Sequence, residues 1–427
     1  MCPADHAVRR FLVSQGRGGD WRERSADADA AYDAHEAIDL STLEPLVACP
    51  RSPDHVVPVR QVAGRAIYQA SIGSSANPGL RDFAGAAFMV DGRQGHEAVP
   101  CDVQPTSRHL LEHLTQTGLL AKLMRAGGRL HQAGCNGGIG MGQAPAPGRL
   151  SVRTGPRSSP GRSGTPEDRV YLGSPETAAA SALTGVLTDP RTLHRPYPRV
   201  EEPDRLLINT DRLVPPAPAG ERVELVKGPN IPALPPLEPL PDSPEGPVWL
   251  KRGDNISTDE IMPAGGPVLP YRSNIPAIST CVFRGVDASY DERALRHQQS
   301  GSFLVGGRND GQGSSREHAA VGPRALGVKA VIAKSFARMH RPNLINFGIP
   351  PLTLAHPDDG QKIAPDHVLR VPDARQAIQR GTQIPILNQR TGDTHLAEHG
   401  MTDRQVQMLL AGSLIDLLRA RHAGHGA

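Results

Sequence analysis

The sequence predicts an α/β fold in two domains joined by a proline-rich linker. Three observations carry this. Short β-type runs alternate with helical patterns on both sides of the chain's middle. The stretch PNIPALPPLEPLPDSPEGP suits neither helix nor inner strand and is expected to run extended over the surface. With 427 residues, the chain can build two or three cores. Its aromatic content of 4% beside 45 Gly and 41 Pro suits a loop-rich enzyme better than a helical bundle.

Residues 1–50 read as a lead-in segment. DADAAYDAHEAIDL is expected as a short helix running into a strand, AIDLSTLEP. Residues 51–202 read as one α/β domain. RAIYQASIG is a strand ending in Gly73, and LRDFAGAAFMV a helix. SRHLLEHLTQTGLLAKLMRAGG reads as one amphipathic helix closing on a Gly pair, followed by the Gly-rich loop GCNGGIGMG. RVYLGSP is a strand and ETAAASALTGVL an Ala-rich packed helix. Residues 203–246 are the linker. Residues 247–427 form the second domain, with strands SFLVGG and AVIAKSF and a final amphipathic helix, DRQVQMLLAGSLIDLLRARH.

Net charge is +3 and no Lys/Arg stripe exists, so no nucleic-acid partner is expected. No apolar run is long enough for a membrane span, and the apolar stretch after Met1 is too short for a secretory signal. The five Cys, at 2, 49, 101, 135 and 281, are scattered and odd in number, which argues against a disulfide framework and for the cytoplasm.

The most informative stretch is GQGSSREH, 311–318, placed between a strand and a helix. Its glycines let backbone N–H groups face an anion. Ser314 and Ser315 add short hydroxyls, and Arg316 offers a planar fork for a carboxylate. Such a loop suits a serine that takes a proton beside a carboxylate. Taken alone, such a loop is more often a Gly/Ser helix cap with a surface Arg than a catalytic one.

The longer run GQGSSREHAAVGPRALGVKAVIAKSFARMHRPNLINFGIPPLTL (311–354), with GDNISTDEIMPAG (253–265) and VLPYRSNIPAIS (268–279), resembles the swivel domain of aconitase and isopropylmalate isomerase. Upstream, ACPRSPDHVVPV (48–59), IGMGQAP (139–145), GRSGT (161–165) and YLGSPETAAASALTGVLTDPRTL (171–193) resemble the third domain of bacterial, mitochondrial-like aconitases. The resemblance covers nearly the whole chain in the family's order. It implies a three-layer α/β/α third domain linked to a β/β/α swivel domain.

It also implies a site. Ser314 matches the family's serine base, and Ser315 and Arg316 match positions that help hold substrate and the charged serine. Arg272 of YRS matches a carboxylate-binding Arg. The family's NRNFxGR motif stands here as Pro156-Arg157-Ser158-Ser159-Pro160-Gly161-Arg162, so both substrate-binding arginines, Arg157 and Arg162, are kept in an altered loop. Several bidentate arginines suit a di- or tricarboxylate, and neutralising the carboxylate beside the reacting carbon eases proton removal.

The family's 4Fe-4S cluster is where the pattern departs. Its cysteines lie in GSCTNS and CGPCIGMG; here Ser75 and Gly138 stand at two of the three positions and only Cys135 remains. A cluster needs thiolates, so none is expected, nor the Lewis acid it supplies. Glu260 replaces the His of STDHI, and Arg308 and Asp310 replace a Glu and a Tyr.

The resemblance also implies that the family's first domain and much of its second precede this text. The expectation is therefore an aconitase-like protein, related to hydro-lyases that isomerise citrate and isocitrate through cis-aconitate, that does not perform the iron-sulfur-dependent reaction alone. Two alternatives stand beside it. One is an iron-free enzyme acting on a polycarboxylate with Ser314 as base. The other is a non-catalytic subunit that self-associates or pairs with a separate N-terminal half.

Overall fold

The computed structural model describes residues 3–423, apart from 53, 159, 198, 202, 266, 267, 314, 315 and 382. It divides into two compact units, Met1–Val223 and Glu224–Ala427. The division falls inside the proline-rich region, and no helix or strand is described between 194 and 244.

The first unit is built on a sheet of seven strands: β1 (Leu46–Ala48), β2 (Val56–Pro58), β3 (Gln69–Gly73), β4 (Cys101–Gln104), β5 (Gly128–Leu130), β6 (Leu150–Arg153) and β7 (Arg169–Leu172). Their order is β2-β1-β7-β6-β3-β4-β5. Strands β3 to β7 run parallel, and β1 is antiparallel to both β2 and β7. Along β3 every residue is buried. Alternation then sorts the two faces. Ala70 and Ile72 share one face with Val103 of β4, Val152 of β6 and Tyr171 of β7. Gln69, Ser71, Asp102, Gln104, Ser151 and Arg153 take the other, and they too are buried.

The helices Leu80–Val90, Leu119–Arg125 and Pro175–Thr184 pack together on the apolar face. Phe83, Ala84 and Ala87 of the first meet Ala178 and Ala182 of the last, where small side chains allow close approach. Ser174 caps that last helix by accepting from Thr177 N at 3.2 Å, and Pro175 sits in its first turn.

Two expectations fail here. The acidic stretch DADAAYDAHEAIDL carries neither helix nor strand; the N-terminal helix is His6–Ser14, capped by Asp5, and the first strand starts at Leu46. Closely spaced carboxylates with no apolar stripe have nothing to bury, so the stretch stays irregular and exposed. The run 107–128 is two helices, Arg108–Gln116 and Leu119–Arg125, because Gly118 turns left-handed at φ 72°. A Gly118→Ala variant should lose about 1–2 kcal/mol in a urea titration, since a Cβ there is strained although no atom lies in its way.

The second unit is a closed barrel of seven strands: β8 (Glu245–Lys251), β9 (Ser302–Gly306), β10 (Val328–Ala333), β11 (Pro351–Leu354), β12 (Val368–Arg370), β13 (Gln383–Asn388) and β14 (Thr394–Glu398). The order around it is β10-β11-β14-β13-β12-β8-β9. Alternation again makes two cores. Phe303, Val305, Ile332, Leu352 and Ile386 form one. Leu304 and Val331 face outward and join Ile261, Ile278, Tyr290 and Ala320 from the covering helices. Burying side chains of this size stabilises by about 1.5–3 kcal/mol each. The final helix, expected as one, is two: Gly412 is left-handed at φ 99° and separates Asp403–Ala411 from Leu414–Ala423. Among the described residues, no helix of the chain is long and apolar enough to cross a membrane.

Candidate functional site

The polar face of the first sheet is the more organised of two candidate sites. Strands buried on both faces in a parallel sheet usually carry apolar residues throughout. Here β3, β4 and β6 carry a hydrogen-bonded network instead. Gln69 Nε2 donates to Asp102 Oδ2 at 2.7 Å. Arg153 Nη2 donates to Gln69 Oε1 at 2.7 Å. Gln104 Nε2 donates to Ser71 Oγ at 3.0 Å. Asp102, 1% exposed, also meets Arg129 Nη2 at 3.1 Å and His131 Nε2 at 3.0 Å. Burial lowers the Arg153 pKa, and the charges of Asp102 and Asp168 oppose that shift. A guanidinium stays charged under such conditions.

The Gly-rich loop lies on this network. Arg153 Nη1 donates to the Gly137 carbonyl at 2.5 Å, and Arg162 Nε donates to the Gly138 carbonyl at 3.0 Å. A Cβ on Gly137 would stand 2.8 Å from Gln104 Nε2, so the backbone there approaches as closely as only glycine allows. Residues Asn136–Ile139 form a single 3-10 turn.

The positions that match the family's cluster ligands are partly together. Cys135 Sγ lies 3.2 Å from Ser74 Oγ, and a Cβ on Gly138 would point at both, 2.8 Å from Ser74 Oγ and 3.2 Å from Cys135 Sγ. Ser75 is exposed, and its neighbour Ser74 takes the place beside the thiol at φ 71°. One thiol, one exposed hydroxyl and one residue without a side chain do not fit a group that takes thiolate ligands. The carbonyls of 137 and 138 are bonded to arginines. Among the described residues, no group of three His, Cys, Asp or Glu side chains could hold a metal. Burial, then the neighbouring Asp102 charge, push the Cys101 thiol up to about 12.

Of the arginines expected to grip substrate here, Arg162 reaches the cluster loop and Arg157 is half-buried on the segment after β6. That segment is stitched to the first loop. Thr154 Oγ1 accepts from Gly73 N at 2.8 Å and donates to Gly73 O at 2.7 Å, and Asn77 Nδ2 donates to Thr154 O at 2.9 Å.

The second candidate site is in the barrel unit. Ser314 and Ser315 lie outside the described residues. Around them, helix His318–Ala325 follows β9 as the sequence predicts. His318 Nε2 lies 2.7 Å from the Arg272 carbonyl, which seats the YRS segment against GQGSSREH, and Arg272 itself is exposed. Arg316 is committed within its own unit: Nη2 is 2.7 Å from Asp259 Oδ1, and Nη1 donates to the Met262 carbonyl at 3.1 Å. Glu260, in the place of a histidine, closes a capping box. Its carboxylate accepts from Ser257 N at 2.8 Å while Ser257 Oγ accepts from Glu260 N at 3.1 Å. Asp310 is wholly buried against Arg252, with Nη2 to Oδ2 at 3.1 Å. Arg308 is exposed, and its backbone N–H donates to Asp254 Oδ1 at 2.7 Å.

Residues 2–185 match the aconitase family (aconitate hydratase), and residues 285–357 match the aconitase C-terminal domain. Both regions are aconitase-superfamily sequence. The α/β architecture of this superfamily is what the two units show. A relative named 3-isopropylmalate dehydratase large subunit 2, from Archaeoglobus fulgidus, is 38% identical over 44% of this chain and 45% of its own length. A homoaconitase of Debaryomyces hansenii mitochondria is 30% identical over 78% of this chain and 47% of its own. The chain thus spans about half the length of the curated relatives it matches. A solved 3-isopropylmalate dehydratase from Methanocaldococcus jannaschii is 28% identical, covering 43% of this chain and 97% of that one, with a TM-score of 0.36. The narrower expectation of a citrate–isocitrate aconitase is not singled out: these aconitase-superfamily relatives carry the names of other hydro-lyases. Members of the superfamily usually carry a 4Fe-4S cluster.

The Asp102–Gln69–Arg153 network was not anticipated from the sequence. A signal for it existed: polar residues alternate along Gln69-Ser71, Asp102-Gln104 and Ser151-Arg153 in three consecutive parallel strands, where a solvent-facing surface is not expected.

Proposed function

We propose that this chain is an aconitase-superfamily protein that binds a di- or tricarboxylate through arginines and does not carry out the cluster-dependent hydration. The observation behind this is the ligand loop, where Cys135 stands with Gly138 and an exposed Ser75 while two arginines bond the adjoining carbonyls. In the first unit Arg157 and Arg162 are the proposed carboxylate contacts; in the second, taken by itself, it is Arg272, with Ser315 and Arg316 supporting the Ser314 loop. The test is anaerobic reconstitution of the full chain with iron and sulfide, followed by calorimetric titration with a panel of di- and tricarboxylates. The expected result is no cluster absorbance and saturable binding that Arg272→Ala weakens roughly tenfold or more, as loss of a charge-assisted hydrogen bond does. A protein that turns brown and hydrates an unsaturated tricarboxylate would sink the proposal.

A second reading is supported by the His318–Arg272 contact, which joins the YRS segment to the last residue of GQGSSREH. On that reading Ser314 is a base in an iron-free proton abstraction, and Ser314→Ala abolishes turnover while binding persists. The large-subunit name of the Archaeoglobus relative supports a protein partner as well; a monomer at every concentration tested by light scattering, alone or beside a candidate partner chain, argues against a partner and against self-association.

A further inference from the structure

We infer that Arg153 is a metal-free clamp that holds the Gly-rich loop 134–143 in place, doing with a buried guanidinium what a cluster bonded to that loop would do. The inference rests on the cluster-free reading above and goes beyond it. Arg153 is 3% exposed and carries a full charge beneath the loop. Its two terminal nitrogens point to different partners: Nη1 to the Gly137 carbonyl and Nη2 to Gln69 Oε1. Gln69 passes the contact to Asp102, which supplies the balancing charge. A guanidinium so placed is costly unless it is paired and hydrogen-bonded, so the chain retains it only with the loop carbonyl in place.

The contact surface agrees. Gly137 rests on Gln104 so closely that a Cβ would collide with the amide. The far end of the loop is tied as well, since Gln143 pairs with Arg129, which also reaches Asp102. One carboxylate therefore anchors both ends: through Gln69 and Arg153 to residue 137, and through Arg129 to residue 143. None of these bonds involves the Cys135 thiol, whose own contact is with Ser74 Oγ at 3.2 Å.

The test uses the full chain, with peptide-resolved hydrogen exchange and alkylation of Cys135 read by mass spectrometry. In wild type, an iron chelator should change neither protection of the loop nor the alkylation rate. Arg153→Met should speed Cys135 alkylation roughly ten- to a hundredfold, the range expected on losing charge-assisted hydrogen bonds, and Arg153→Lys should restore only part of the protection because an ammonium lacks the two-pronged geometry. The amides of helix Leu80–Val90 serve as the control for global unfolding. If Arg153→Met unfolds that helix too, Gln69→Met decides, since it removes the acceptor of Arg153 and the donor to Asp102 while keeping both charges; it should give a smaller increase confined to the loop. Acceleration by the chelator in wild type would overturn the cluster-free reading and the clamp with it. No acceleration by chelator together with unchanged alkylation in Arg153→Met, or in Gln69→Met when that variant decides, would overturn the clamp alone.

Discussion

Arg252→Met should destabilise the barrel unit by about 3–5 kcal/mol, the cost of stranding one member of a buried ion pair. Arg252 follows β8 and is 1% exposed on its side chain, and its partner Asp310 is fully inaccessible. Burial pushes the Asp310 carboxyl up, and the nearby guanidinium pulls it back. Without that charge the carboxylate has to protonate or break the packing around it. Asp310 also accepts a backbone bond from Ala337 N at 2.9 Å and donates its own N–H to Ser335 O at 3.0 Å, so the pair fixes the foot of the GQGSSREH loop. The double variant Arg252→Met/Asp310→Asn should recover part of the loss, because neither charge then remains. Urea unfolding followed by Trp249 fluorescence in a Trp21→Phe background reads the barrel directly. A loss under about 1 kcal/mol, the worth of an exposed pair, would mean that the pair is not isolated from water.

Stability of the same unit should fall as pH drops below about 6.5, through His340. His340 is 1% exposed, with Nε2 3.9 Å from Asp310 Oδ2, and burial followed by the Arg252 charge holds its pKa down to about 3. Its folded pKa is thus below its unfolded value. The unfolded chain takes the proton first, so the contribution is complete above the unfolded pKa and is lost as pH falls toward the folded one, on the order of a few kcal/mol in all. Asp310 runs the other way: its carboxyl is raised by burial, so acidification relieves it. A His340→Asn variant separates the two. Its urea midpoint should change less between about pH 7 and about pH 4.5 than that of wild type. Equal slopes in both proteins would remove His340 as the cause.

Elements were readable where the chain carries both a period and its stops. LRDFAGAAFMV is the helix Leu80–Val90 to the residue, SFLVGG contains the strand Ser302–Gly306, and AVIAKSF overlaps the strand Val328–Ala333, which starts and ends earlier. The two long amphipathic runs were misread as single helices because hydrophobic period continues across Gly118 and Gly412, and period does not report φ. The acidic run near residue 30 failed for the opposite reason, having helix-compatible letters and nothing apolar to bury. At the site, the motifs located the loops but not their partners. Nothing in GQGSSREH says that Arg316 is paired with Asp259, and nothing in CNGGIG says that Arg153 lies beneath it. Those contacts join residues distant in sequence, and short polar strands that look solvent-facing hide them.

The closed barrel has a consequence for the order in which the chain takes shape during synthesis. Strand β8 is the first of the seven to be made, yet both of its neighbours, β9 and β12, come later, and β12 much later. As the chain emerges, Glu245, Gly246 and Pro247 therefore wait without a ladder partner on one side until Val368, Leu369 and Arg370 have been translated. Long-range pairing of this kind is slow and leaves strand edges open to other chains meanwhile. The proline-rich stretch just before β8 is poorly suited to pairing and would shield the nascent strand from joining a sheet prematurely.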